Sequence, residues 1–403
     1  MDIEKYRHLP PEELVLKLSR TPGVDAARVV RQVEGWQRLR HKVPGWAAVQ
    51  GLEYPPRLPL EQCSGEAAAR YKTQVVRRLQ GSEQTGRTHP LHRSEGAGKD
   101  TMVDLTGGLG VDFSFLSALF GQSVYVERQE ELCQIARHNF PLLGLAESQI
   151  VCADGTDYLR TMPHADLIFL DPARRDGLGR KTVRIADCEP DVSAMEALLV
   201  GKARWVLVKL SPMLDISEAL RALLHVREVH TVAAGGECKE LLLVLEQREK
   251  PDGIRMFACE EGTVFSFTPR EEAEAAVSYA PPARYLYEPG PALLKAGAFK
   301  VAACRYGLSK LHPNSHLYTS DREVAGFPGR SFRVEFVTGF SKAELRQLRS
   351  FTPRANLAVR NFPAPVEELR RKLKLRDGGD LYLFATTLHD DSHALVGCHK
   401  TGL

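Results

Sequence analysis

Residues 101–112, Thr-Met-Val-Asp-Leu-Thr-Gly-Gly-Leu-Gly-Val-Asp, constrain this chain more than any other stretch. A short apolar run, Met102 and Val103, ends at Asp104 and opens into a turn carrying Gly107, Gly108 and Gly110. An apolar segment over 113–120 reads as the following helix. Glycine permits a tight strand-to-helix turn and lets a ligand approach the backbone closely. Backbone N–H groups at the helix start would face that ligand. Alone, the pattern also admits an ordinary βα turn.

The pattern then recurs. Apolar runs over 123–126, 149–153, 165–170 and 204–208 end at Glu127, Asp154, Asp171 and Lys209 respectively, with helix-like segments between them. Strands that alternate with helices predict a parallel sheet, and ligands of such sheets bind at the carboxyl ends of the strands. The four polar residues and Asp104 should therefore share one rim.

The ordered series Asp104-Leu-Thr-Gly107-Gly108-Leu-Gly110, Glu127, Asp154 and Asp171-Pro172 resembles the motifs of class I S-adenosylmethionine-dependent methyltransferases, over about residues 100 to 248. The whole chain is also similar to a bacterial group whose methyltransferase core carries a helical N-terminal region and a ferredoxin-like/THUMP-like C-terminal region. The stretches 60–64, Leu-Glu-Gln-Cys-Ser, and 295–300 and 310–319 carry that likeness. The resemblance implies an α/β fold: a Rossmann-like core with a mostly parallel seven-stranded sheet, a helical N-terminal domain and a small α/β C-terminal domain. Expected boundaries are 1–98 helical, 99–248 methyltransferase core, 249–330 ferredoxin-like/β connecting region and 331–403 THUMP-like. It further implies S-adenosylmethionine as cofactor and RNA, ribosomal or transfer, as substrate.

Composition is compatible with this. The chain has 403 residues, 43% hydrophobic and 26% charged, as in a globular protein with a sizeable core. A net charge of +3 does not by itself imply a polyanion partner. Eight cysteines occur without a Cys-x-x-Cys pair, so a reducing cytoplasm and no structural zinc are expected. No apolar stretch approaches the roughly 18 residues of a membrane span. Helices are expected over 11–20, 24–40 and 62–79, the last with Ala67, Tyr71, Val75 and Leu79 as its apolar stripe. Arg70, Lys72, Arg77 and Arg78 on it read either as phosphate contacts or as a solvated face. Residues 81–98 read as a connection, 253–267 as extended, and 292–304 as one helix. Beyond 331 the order is strand, helix, strand, helix, strand, strand, with a basic run at 370–376.

Each candidate site residue carries its own chemistry. A carboxylate at Glu127 could accept from two ribose hydroxyls, being acceptor-only when ionised. Asp154 could accept from the adenine amino group, with Val151 and Cys152 walling the base. Asp104 could orient the loop of Thr106, Gly107, Gly108 and Gly110, or meet the cofactor's ammonium group. Each acid taken singly reads equally as a helix cap. Asp171, Pro172 and Arg174 resemble the fourth-strand motif of nucleobase methylases, in which the acid accepts from an exocyclic amine. Ala173 and Arg174 stand where a second proline and an aromatic are usual. An Asp-Pro-Pro-Arg variant occurs in RNA uracil-C5 methylases, but those need a cysteine after the fifth strand, where this chain has Lys209-Leu-Ser-Pro. A covalent C5 route is therefore disfavoured. Lys209 reads as a catalytic-rim cation or as the counter-charge of Asp171. His312, His316, His389 and His393 form two i,i+4 pairs without an acidic or cysteine partner, and no metal is expected. A methyltransferase acting on a protein or small molecule, or a silent RNA-binding protein retaining the core, remains open at this point. The oligomeric state is not legible.

Overall fold

The computed structural model describes residues 3–18, 24–81, 100–174, 184–247 and 253–401, without the side chain of Arg174. The expected connection beyond Gly81 and the charged stretch 175–183 lie outside the described residues. The chain forms two compact units, Met1–Val229 with Lys239–Asp252, and His230–Cys238 with Gly253–Leu403.

The first unit is built on strands β1 (Thr101–Asp104), β2 (Gln122–Glu127), β3 (Gln149–Cys152), β4 (Ala165–Leu170) and β5 (Ala203–Leu210), with the start of β6 (Val226–Ala234) and most of β7 (Glu237–Leu245). Their hydrogen-bonded order is β6-β7-β5-β4-β1-β2-β3. The pairs β1–β2, β1–β4, β2–β3 and β4–β5 are parallel, whereas β5–β7 is antiparallel. Gly235 and Gly236, both at positive φ, make the turn between β6 and β7. The winding reverses between β1 and β4, so a crevice opens there at the strand ends. Strand β4 is buried from Leu167 to Leu170, as expected for a continuous apolar run in a covered parallel sheet.

Helices α1 (Pro11–Leu18), α2 (Ala26–Lys42), α3 (Pro44–Ala47), α4 (Arg57–Gln62) and α5 (Glu66–Leu79) precede the sheet. Asp25 caps α2 by accepting from Arg28 N at 3.0 Å. The single helix expected over 62–79 is broken at 63–65. Cys63 and Gly65 are extended there, and the Ser64 hydroxyl is engaged elsewhere. The buried face of α5 is Ala68, Ala69, Tyr71, Lys72, Val75 and Val76, so Ala67 is exposed and the face turns far enough to bury a lysine. These helices pack directly on the sheet layer. Trp46 Nε1 donates to Ser114 Oγ at 3.1 Å. Asn139 exchanges two 2.8 Å hydrogen bonds with the Glu53 backbone. Arg78 pairs with the buried Glu228, and Arg70 with Glu66 at 2.5 Å.

Helices α6 (Val111–Leu116), α7 (Glu130–Leu142), α8 (Gly155–Thr161), α9 (Val192–Lys202) and α10 (Ile216–Ala222) complete this unit.

In the second unit, β8 (Arg255–Glu260) and β9 (Thr263–Phe267) are an antiparallel hairpin rather than one extended segment, because Glu261 and Gly262 adopt positive φ of 48° and 87°. After α11 (Pro269–Glu274) and β10 (Tyr285–Pro289), the helix expected over 292–304 is two. Gly297, at φ 78°, ends α12 (Pro291–Ala296) before α13 (Lys300–Tyr306). Then follow β11 (Ser309–Lys310), β12 (Tyr318–Ser320), β13 (Gly329–Thr338), α14 (Lys342–Phe351), β14 (Asn356–Arg360), α15 (Val366–Leu373), β15 (Leu381–Thr387) and β16 (His393–Lys400). The sheet order is β11-β12-β10-β13-β16-β15-β14. Buried Glu288 on β10 is held by both Arg330 and Arg360. The basic run straddles the end of α15: Arg370, Arg371 and Lys372 lie in its last turn, while Lys374 and Arg376 follow it; Leu369 and Leu373 are buried and Arg370 pairs with Asp377 at 2.8 Å.

Candidate functional site

The carboxyl ends of β1, β2, β4 and β5 and the start of α8 border one cleft of about 470 Å³. Gly107 lies over the Tyr125 ring. A Cβ there would stand 2.2 Å from Tyr125 Cε2, so only glycine lets the loop settle on that ring. Gly110, at φ 85°, then turns the chain into α6. Tyr125 donates its hydroxyl to Gly108 O at 2.5 Å, and Thr106 Oγ1 accepts from Asp171 N at 2.7 Å. The loop is thus fixed from beneath by β2 and from the side by the end of β4.

Five of the expected acids and bases meet in this cleft: Asp104, Glu127, Asp154, Asp171 and Lys209 all line it, together with Thr106, Gly107, Gly108 and Gly110. Glu127 Oε2 accepts from Gly108 N at 2.8 Å and Oε1 from Gln129 N at 2.8 Å. Asp104 Oδ1 accepts from Thr106 N at 2.9 Å, so it does orient the loop. Burial pushes the Asp104 carboxyl well above the usual carboxylate range, with Asp112, Asp171 and Glu127 nearby adding to the rise. Asp154 caps α8 through Thr156 N and Asp157 N at 2.8 and 3.2 Å and also lines the cleft. Val151 and Cys152, expected to wall a base, are not among the lining residues; Arg128 and Leu132 are. Pro172 is buried and off the cleft surface, where it shapes the strand end. The side chain of Arg174 and the whole of Arg175 lie outside the described residues.

Behind Asp171 is an ion network that no short motif announces. Lys209 Nζ lies 2.5 Å from Asp171 Oδ2 and 3.8 Å from Asp112 Oδ2. Lys72 Nζ, fully buried, lies 3.0 Å from Asp112 Oδ1 and 2.6 Å from Glu240 Oε1. Ser64 Oγ donates to Asp112 Oδ2 at 2.7 Å and accepts from Lys72 Nζ at 3.1 Å. Burial disfavours the charged form of Lys209, but Asp171, Asp112 and Glu240 outweigh it and hold its ammonium above the ordinary lysine range. Burial likewise opposes a charged Asp112, yet Lys72 and Lys209 keep its carboxyl below the usual range. Lys72 is therefore neither a phosphate contact nor part of a solvated face.

The donor set discriminates between ligands. Two carboxylates, Glu127 and Asp154, and the Asp104 carboxyl, whose proton burial favours, line the cleft around the glycine loop. Such a set suits a ligand offering a diol, an amino group and positive charge, and it opposes the pyrophosphate of a dinucleotide. S-adenosylmethionine has those groups. Cys63, between α4 and α5, also borders the cleft, although the chain order had placed no thiol near it. Burial pushes that thiol up, against the thiolate a covalent route needs. Among the described residues one group has the atoms to share a metal ion: Glu130, Cys133 and Cys152, with ligand atoms within 4.8 Å of one another. Burial raises the Cys133 thiol to about 12. The four histidines do not converge. His312 bonds Asn361 at 3.0 Å, His316 stacks on Phe299, and His393 packs on Phe362. No helix among the described residues is long and apolar enough to cross a membrane.

Residues 285–328 match a ferredoxin-like domain and residues 329–400 a THUMP domain-like family. Over 299 residues the chain is 26% identical to a protein of Mycobacterium tuberculosis, in strains H37Rv and CDC 1551, named as an uncharacterized S-adenosylmethionine-dependent methyltransferase. The match covers 74% of this chain and 80% of that one. A crystal structure from Porphyromonas gingivalis W83, assigned as a methyltransferase, is 39% identical over 99% of this chain and 96% of its own, with a TM-score of 0.84. By that likeness, and by a cleft whose acids suit the cofactor, the chain belongs to the S-adenosylmethionine-dependent methyltransferases.

Proposed function

We propose that the chain methylates a base in structured RNA, ribosomal or transfer, and works in the cytoplasm. The observation that carries the RNA reading is the THUMP domain-like match of residues 329–400, within which α15 carries Arg370, Arg371 and Lys372. Basic side chains there would take phosphates and position a substrate without reading its sequence. The cleft supports the same division of labour. Its lining acids Glu127, Asp154, Asp171, Glu189 and Asp191 outnumber the cations Arg128 and Lys209, which favours an uncharged base over a phosphate there.

In this reading Glu127 takes the ribose hydroxyls, Asp154 the adenine amino group, and Asp104 with the loop of Thr106, Gly107, Gly108 and Gly110 the methionine end of the cofactor. The bound sulfonium supplies an activated methyl group. The protein's contribution is alignment of acceptor and donor. Asp171 accepts from the acceptor's amine while Lys209 fixes one of its oxygens. Pro172 shapes the strand end behind Asp171, and Arg174 stays a catalytic candidate on its sequence motif alone. The raised Cys63 thiol favours direct transfer to a heteroatom over a covalent base adduct.

The test is transfer of a labelled methyl group from S-adenosylmethionine into RNA from cells lacking this protein, with protein and metabolite fractions alongside. Label in RNA, lost in Asp171→Ala while cofactor affinity persists, is the expected outcome. Label confined to another fraction would remove RNA as substrate, and activity surviving Asp171→Ala would remove the catalytic assignment.

A further inference from the structure

The helices before the sheet do more than cover it. Ser64 and Lys72 come from the break before α5 and from α5 itself, outside the part of the chain that carries the methyltransferase motifs. Both reach the residue that touches Lys209. Along the line Glu240, Lys72, Asp112, Lys209, Asp171, every neighbour is of opposite charge, with separations of 2.6, 3.0, 3.8 and 2.5 Å. Three carboxylates face two ammonium groups, so the cations are contested. Asp112 lies between both and is the rival of Asp171 for Lys209. Lys72 and the Ser64 hydroxyl, at 3.0 and 2.7 Å, satisfy Asp112 from behind.

We infer that Ser64 and Lys72 are positioning residues of the methyl-acceptor site: by satisfying Asp112 they leave Lys209 to Asp171 and so hold the Asp171 carboxylate in its reactive place. The inference rests on the reading of Asp171 as the acceptor-binding acid. A buried lysine between two carboxylates need not be there for stability alone, since such a group gives little over an apolar replacement when its partners are removed with it. Without Lys72, the 3.8 Å gap between Lys209 and Asp112 closes and the 2.5 Å contact with Asp171 opens. A shift of about 1 Å in a reacting group costs on the order of 100-fold in rate.

The experiment compares Lys72→Met/Glu240→Gln with the same protein carrying Asp112→Asn in addition. The double variant removes an ion pair as a unit, which avoids a lone buried charge, but it leaves Asp112 charged. Crystal structures are expected to show Lys209 moved from Asp171 to Asp112 in the double variant and returned to Asp171 in the triple one. Methyl transfer to RNA should fall about 100-fold in kcat in the double variant, with unchanged affinity for S-adenosylmethionine, and recover at least about tenfold when Asp112→Asn is added. A merely structural role gives the opposite order, because a third core substitution would not restore a rate. Lys209 remaining on Asp171 in the double variant, or a kcat equal to that of the unaltered protein, overturns the inference. Asp171→Ala run in parallel separates the two readings: if that variant keeps its activity, the catalytic assignment fails, whatever the network does.

Discussion

Replacing Glu127 by glutamine changes one atom and tests how the cofactor is held. Glu127 Oε2 and Oε1 each accept a backbone N–H at 2.8 Å, from Gly108 and Gln129. Glutamine keeps one acceptor oxygen and turns an NH2 group, itself a donor, towards the other N–H. One backbone donor at the loop then loses its partner, and the ribose diol loses half of an acceptor-only group. A hydrogen bond to a charged group contributes about 1.5–3 kcal/mol. Expressed wholly in binding, this lowers affinity about 10- to 150-fold. Calorimetric titration with S-adenosylmethionine and S-adenosylhomocysteine measures it, and both ligands should weaken alike because they share the ribose. Thermal unfolding without ligand reports how much of the loss belongs to the loop alone. Affinity within about threefold of the unaltered protein, beside a lowered melting temperature, would make Glu127 a loop brace only and refute the reasoning.

Other perturbations probe the remaining parts. Asp104 has a raised folded-state value, so the folded chain holds that proton more tightly than the unfolded chain does. The stability it contributes is full below the ordinary carboxylate range and declines as pH rises towards the raised value. Asp104→Asn keeps an acceptor for Thr106 N, so its melting temperature relative to the unaltered protein should rise between about pH 4 and pH 7; a constant difference would contradict the shift. Gly107→Ala drives a methyl group into the Tyr125 ring, and it should abolish cofactor binding while the circular-dichroism spectrum stays that of a folded chain. Cys63→Ala should retain methyl transfer, and its loss would restore a covalent route. Glu288→Gln, which leaves Arg330 and Arg360 without their shared carboxylate, should destabilise by about 1–3 kcal/mol in denaturant unfolding with no change in cofactor affinity.

What the sequence disclosed and what it hid follow one physical division. Strands such as β4 and β15 are legible because an unbroken apolar run can only be buried, and its polar terminus marks the rim. The cleft acids Asp104, Glu127 and Asp171 follow from that rule, whereas Asp154 follows β3, whose residues are half-buried or exposed. Asp154 shows why a single residue could not be settled alone, since it caps a helix and faces the cleft at once. Lys72 was hidden because a lysine on an amphipathic helix normally faces water, and the partner that buries it, Glu240, is 168 residues away. Cys63 was hidden for a related reason. The break at Ser64–Gly65 depends on a hydroxyl bound to Asp112, a contact that no local pattern encodes. The splitting of α12 from α13 at Gly297 was readable in principle, because a glycine after an apolar turn is a common helix stop.

The most direct measurement is a crystal structure of the protein with S-adenosylhomocysteine. The ribose hydroxyls are expected on Glu127, the adenine amino group at Asp154, and the sulfur on the side of the cleft that carries Asp171 and Lys209. A ligand lying with its ribose away from Glu127, or with its sulfur turned from Asp171, would contradict this expectation.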